Sequence, residues 1–166
     1  MLFRLAQSLE SLGKVSTVNA HCDIPCKIYD PSTSLIATLS VIRLMDIIAE
    51  AAGKNDTPSI EDQNTIARSI FRKEEEAEKV KHEVRIIWGD YFKSPQMEAF
   101  PEIHELAHKI MMKASACKQG TKRSDGEELL DLVNRFAEIF WATKNVETVK
   151  KTCPYPPELP TVYPVL

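Results

Sequence analysis

The chain has 166 residues, a formal charge of −3, and 43% hydrophobic against 27% charged residues. No basic stripe recommends nucleic acid or anionic lipid as a partner, and no run approaches the roughly 18 consecutive apolar residues of a membrane span. This composition fits a single soluble domain. Long stretches rich in Leu, Ile, Ala, Glu and Lys with only five glycines favour helix over sheet.

Residues 1–20 hold Arg4 and Lys14, scattered apolar residues and a mid-segment Glu10. They lack the uninterrupted apolar core of a secretory signal. The segment ends Val18-Asn19-Ala20, a small-residue pattern suited to proteolysis, and reads as a removable leader cut between Ala20 and His21.

The run from His21 to Pro31 follows, His21-Cys22-Asp23-Ile24-Pro25-Cys26-Lys27-Ile28-Tyr29-Asp30-Pro31. It places one imidazole and two thiols within six positions, ligand types that suit late first-row transition metals. Two cysteines wrap one metal only if the loop folds back, and Pro25 is placed to force that turn. The chemistry sharpens if the leader is removed. A free amine on His21 would then stand beside its imidazole, the Cys22 amide and two thiolates, a square-planar set that nickel(II) or copper(II) favours.

Ser32 or Thr33 can cap a first helix running to about Ala52. Leu35, Ile36, Leu39, Ile42, Met45, Ile48 and Ala49 recur at helical spacing on its buried face. Ser59 followed by Asp62 opens a second helix to about Trp88, with Ile66, Ile70, Ala77, Val80, Val84, Ile87 and Trp88 as its stripe. The Arg72-Lys73-Glu74-Glu75-Glu76 run in its middle reads as a solvated face. A turn-rich connection, Gly89 to Pro95, leads to a third helix, about Glu102 to Lys118, with Ile103, Leu106, Ile110, Ala114 and Cys117 inward. A fourth runs from Ser124-Asp125 to about Lys150 on Leu129, Leu132, Val133, Phe136, Ile139 and Phe140. Residues 151–166 hold five of the ten prolines. They cannot continue the helix and are expected as an extended, polyproline-like arm, loose or draped on a neighbour. The expected organisation is a leader (1–20), a hook plus all-α four-helix bundle (21–150) and a C-terminal arm (151–166).

Cys22, Cys26, Cys117 and Cys153 do not have a staple framework's spacing, so reduced thiols in the cytoplasm are expected. Cys117 reads as a buried small hydrophobe. His104-Glu105-Leu106-Ala107-His108 matches the letters H-E-x-x-H of zinc peptidases. A third ligand and a substrate cleft are missing from the pattern, so two partly exposed histidines on a helix face are preferred. A thiol redox role for Cys22 and Cys26 lacks C-x-x-C spacing.

The hook resembles the signature HCDLPCGVYDP of the nickel superoxide dismutases, departing at Ile24 and Lys27. Trp88-Gly89-Asp90-Tyr91-Phe92-Lys93 is similar to the family's WSDYFK, and Phe140-Trp141-Ala142-Thr143-Lys144 to its FWETK. The resemblance implies a right-handed four-helix bundle assembled as a homohexamer, with one nickel ion per subunit. It implies dismutation of superoxide to oxygen and hydrogen peroxide by a nickel(II)/nickel(III) cycle. His21, Cys22 and Cys26 are the implied metal ligands, and Tyr29 and Asp23 the residues serving catalysis. Pro25, Tyr91 and Lys93 are implied as supports. A leader protease and a nickel chaperone are implied partners. The family's glutamate and arginine that hold the imidazole fall on Ala37 and Glu76, so that support is either rebuilt with Glu76, Arg72 or Arg43 or weaker, and an altered axial imidazole bond is expected. The alternative is a thiol redox protein, or a nickel- or copper-binding helical protein without dismutase activity.

Overall fold

A computed structural model describes residues 26–166. His21, Cys22, Asp23 and Pro25, and the Ala20–His21 junction, lie outside the described residues.

Helix α1 spans Ser32–Ala52. Its N-cap position is Pro31, not Ser32 or Thr33, and the Asp30 carboxylate just before it accepts from the Ser32 N–H at 2.7 Å. Helix α2 spans Ile60–Ile86, and its Ser59 cap accepts from the Asp62 N–H as the spacing requires. The Asp62 carboxylate also accepts from Lys54 at 2.8 Å and from the Ser59 hydroxyl at 2.9 Å. Lys54 first and Ser59 second hold that carboxyl below its ordinary range.

The expected second helix does not continue regularly to Trp88. It widens into a π-helical turn, Ile87–Tyr91, in which the Phe92 N–H reaches back to the Ile87 carbonyl. Such turns insert a residue and re-aim the side chains beyond them. Here Ile87 and Phe92 are buried and Trp88 and Tyr91 half-buried. The connection then forms a short helix α3, Ser94–Ala99, before α4, Ile103–Gln119, and α5, Arg123–Ala142.

The four long helices close a ring, α1 against α2, α2 against α4, α4 against α5 and α5 against α1. Leu35, Leu39, Ile42 and Met45 of α1 meet Ala77, Val80 and Val84 of α2, and Ile110 and Cys117 of α4 meet Val133, Phe136 and Phe140 of α5 in one core. Gly126 lets α5 approach α1 closely, because a Cβ there would stand 2.7 Å from Ile42 Cγ1. The expected stripes are too wide at their edges. Ile36 is 53% exposed, Ile70 is also exposed, and Phe71 beside it is 66% exposed.

Three further expectations are corrected. The charged run of α2 is not a solvated face throughout, for Lys73 is 1% exposed. Its ammonium donates to the Cys117 carbonyl and, at 2.8 Å, to that of Lys118. These carbonyls end α4 without intrahelical partners, so a lysine from another helix closes that terminus and answers its negative dipole end.

The last helix does not reach Lys150. It stops at Ala142, where the Thr143 hydroxyl bonds back to the Phe140 carbonyl and Asn145 takes a left-handed φ of 56°. Nor is the tail a loose polyproline arm. Strands β1 (Thr148–Thr152) and β2 (Pro160–Pro164) pair antiparallel, Lys150 opposite Val162. The Asn134 side chain of α5 donates to the Pro160 carbonyl and accepts from the Val162 N–H, both at 2.9 Å. Cys153, Thr161 and Val162 are buried beneath the hairpin. Prolines at the ends of β2 are compatible with an edge strand, and one side-chain amide replaces the pairing a third strand would supply.

Candidate metal centre

The described part of the hook begins at the exposed Cys26 and passes through Lys27, whose φ of 59° turns the chain sharply. Tyr29 then leaves the hook and packs on the Tyr91 ring, centroids 5.7 Å apart. Tyr91 comes from the π-helical turn and packs in turn on Phe140 of α5 at 4.8 Å. Three stretches distant in sequence therefore meet at one place, the hook's base, the π turn and the end of α5.

The Tyr91 hydroxyl lies 2.6 Å from Thr143 Oγ1. Thr143 has one hydroxyl proton, already given to the Phe140 carbonyl at 2.6 Å. Tyr91 must therefore donate, and its proton is committed away from the hook. The Lys144 ammonium stands over the same ring, 4.9 Å from its centroid, and 5.1 Å from that of Phe140. Lys93 is exposed and its ammonium turns back to the Gly89 carbonyl at 3.3 Å.

Glu76 is buried, and its carboxylate takes Arg72 at 2.7 Å. It lines a groove of about 380 Å³ with Arg43, Ser40 and Tyr155. Ala37 is wholly buried in the core and carries no polar group to that groove.

Elsewhere the chemistry-bearing residues are accounted for. His104 and His108 are exposed, and His104 Nδ1 accepts from Trp88 Nε1 at 3.1 Å, which occupies one of its two ring nitrogens. No group of three His, Cys, Asp or Glu that could hold a metal occurs among the described residues. Among the described residues, His104 and His108 find no third ligand for a zinc-peptidase site. Cys117 is buried on α4, and burial first, with Asp125 second, pushes its thiol up to about 11. Cys153 is buried under the hairpin, its sulfur 3.2 Å from the Tyr155 carbonyl. Burial thus disfavours the thiolate of Cys117.

The sequence marks Tyr29, Tyr91 and Lys93 for the site, but it gives no role to Thr143 or Lys144 and places Phe140 only in the buried stripe of the last helix. All three stand in the Phe140-to-Lys144 motif, and only the fold joins that motif to Tyr91.

The described residues define a helical protein in which Tyr29, three residues after the exposed Cys26, packs on an aromatic base of Tyr91 and Phe140. A sequence model of the family described as nickel-containing superoxide dismutase matches residues 16–144. The superoxide dismutase [Ni] of Streptomyces coelicolor is 38% identical over 128 residues, covering 77% of this chain and 91% of its own. That of Streptomyces seoulensis is 38% identical over 127 residues, covering 76% and 90%. Among solved structures, the native nickel superoxide dismutase superposes with a TM-score of 0.65 at 36% identity over 75% of this chain and 99% of that one. A nickel-containing superoxide dismutase after partial X-ray-induced reduction gives 0.66 at 36% identity, with the same coverage. The chain belongs to the nickel-containing superoxide dismutase family. Its cofactor is nickel and its activity the dismutation of superoxide. The matched stretch ends before β1, so the hairpin lies beyond it.

The donor set fits that metal. Cys26 is an exposed thiol three residues from the aromatic base, and thiolate sulfur is a ligand type that suits nickel. No helix among the described residues is long and apolar enough to cross a membrane.

Proposed function

We propose that nickel is held by the His21 amine and imidazole, the Cys22 amide and thiolate and the Cys26 thiolate, after cleavage between Ala20 and His21. The observation that carries this reading is the convergence of Tyr29, Tyr91 and Phe140, which ties the hook's base to the two other motifs. Nickel bound there supplies a one-electron couple at which one superoxide is oxidised to oxygen and a second is reduced and protonated to hydrogen peroxide. Two protons are consumed per turnover.

The chain's own groups divide the remaining work. Tyr29 stands at the approach to the metal and restricts it to small molecules. Tyr91 is the wall against which Tyr29 rests, its own proton held by Thr143. Asp23 and Pro25 keep the hook folded back. Lys93 adds positive charge on the outer side of the π turn. Glu76, buried and held by Arg72, is the acceptor that orients the His21 imidazole in place of the family's pair, since Ala37 cannot.

The closed ring of four long helices supports a four-helix bundle. The exposed Ile36, Ile60 and Phe71 on the α1 and α2 side supply apolar surface for a homohexamer. The unpaired buried thiols Cys117 and Cys153 favour the cytoplasm. A leader protease and a nickel chaperone complete the maturation.

The test is leader-free protein prepared without metal, with nickel and with copper. Metal analysis should give one nickel per chain, with dismutation appearing only then, and the intact mass of the full chain matured with nickel should show loss of residues 1–20. Dismutation by metal-free protein, or equal service by copper, overturns the reading.

A further inference from the structure

We infer that Lys144 is the cation that draws superoxide to the hook, a specificity residue for the charge of what approaches. The inference rests on the proposed reading of Tyr29 and Tyr91 as the flank of the metal centre.

Four observations carry it. The Lys144 ammonium is seated over two ring faces, Tyr91 at 4.9 Å and Phe140 at 5.1 Å. The negative face of each ring attracts the cation and fixes it without cancelling its charge. Second, Lys144 pairs with no carboxylate among the described residues. By contrast Lys54, Arg72, Lys113, Arg123 and Arg135 are each paired with one. Third, Lys144 shares the Tyr91 ring with Tyr29, whose centroid lies 5.7 Å from it. The ammonium and the hook's base are thus within roughly one Debye length, about 10 Å at 0.1 M salt. Fourth, the Tyr91 proton is committed to Thr143, so this tyrosine offers no donor to an arriving anion. Its ring serves as the seat of the cation instead.

The chain carries a net charge of −3, so its overall field does not favour a small anion. A cation with no carboxylate partner among the described residues, fixed beside the entrance, reverses that locally and raises the rate of productive encounter. Lys93, whose ammonium returns to the Gly89 carbonyl, adds to the field but does not sit on the ring that touches the hook's base.

The test uses leader-free protein in two states. Nickel-loaded wild type, Lys144→Met and Lys144→Arg are compared for kcat/KM across a range of ionic strengths. Lys144→Met should lose about threefold at low salt, on the modest side of known steering effects. Its salt dependence should flatten, while Lys144→Arg keeps the wild-type slope. The metal-free state is read by fluorescence in a Trp88→Phe background, leaving Trp141 as the reporter next to Phe140. Lys144→Met should weaken quenching by iodide, an anion, and leave quenching by neutral acrylamide unchanged. Equal salt slopes for wild type and Lys144→Met, or equal iodide quenching, overturn the inference. Loss of all dismutation in nickel-loaded wild type would sink the catalytic reading instead, and the iodide measurement would still decide whether Lys144 concentrates anions.

Discussion

The hydroxyl of Tyr91 donates to Thr143 across 52 residues of sequence, at 2.6 Å, and so fastens the π-helical turn to the end of α5. Thr143→Val removes the acceptor and leaves a half-buried phenol unpaired. The expected loss is about 1 kcal/mol, visible as a lower denaturant midpoint with an unchanged slope. Thr143→Ser should keep the bond and the midpoint. A Val variant as stable as wild type would show that water replaces the threonine at no cost.

Lys73 predicts the cost of opening the α4 terminus. Lys73→Met keeps the packing of the stem but removes both donors to the Cys117 and Lys118 carbonyls. Unsatisfied buried acceptors cost about 1–3 kcal/mol. Hydrogen exchange should quicken first in the last turn of α4. Uniform change over the whole chain would contradict a local cap.

Cys117 makes stability fall at alkaline pH. Its thiol is pushed from 9.0 up to about 11 by burial. Above pH 9 the unfolded chain loses this proton while the folded one keeps it, so the contribution is whole below that pH and disappears on the way to pH 11. The amount is at most about 2–3 kcal/mol. Lys73, whose burial lowers its pKa, acts with the opposite sign. Cys117→Ala should therefore flatten the alkaline decline measured by urea unfolding between pH 8 and pH 11. A decline of unchanged steepness would assign it to other groups.

Gly126→Ala sets two effects against each other. Alanine gains about 1 kcal/mol of helix propensity over glycine. Its Cβ, however, would stand 2.7 Å from Ile42 Cγ1 and 3.4 Å from Met45 Sδ. Cγ1 lies one bond from a branched carbon on a rigid helix, so the helices must part. Overpacking of about 1–3 kcal/mol wins, and the melting temperature should drop. A rise would mean that α1 shifts freely.

Asn134 anchors the hairpin with both ends of its amide. Asn134→Leu should release residues 148–164 while α5 remains helical. The readout is faster exchange at the Val162 N–H and alkylation of the now accessible Cys153 thiol. If Cys153 stayed protected, the burial of Val162 and Thr161 would suffice without the amide.

The helices were legible because their apolar residues recur at three and four, and the Ser59–Asp62 cap because its spacing is local. Lys73 was misread for an equally plain reason. A charged run looks solvated unless it is known that the carbonyl end of α4 packs on it. The tail's prolines argued against helix correctly, yet its pairing depended on Val149 finding Tyr163 and on Asn134 finding β2. In the candidate centre, the ligand types were visible in six adjacent residues. Tyr29, Tyr91 and Lys93 were visible through motifs. Thr143 and Lys144 were within a recognised motif but had no legible role, because their partner Tyr91 arrives by way of the π turn.

By itself the sequence determined the family and the helical repeat and pointed to the ligand chemistry proposed for the hook, all properties of neighbouring residues or of letters in order. Tertiary structure alone decided which charge is free. Lys73 loses its solvent to cap α4, Arg72 gives its charge to Glu76, and Lys144 keeps its own above the Tyr91 ring. The physical reason is that a charge is attenuated or preserved by what packs around it, and those neighbours come from other helices.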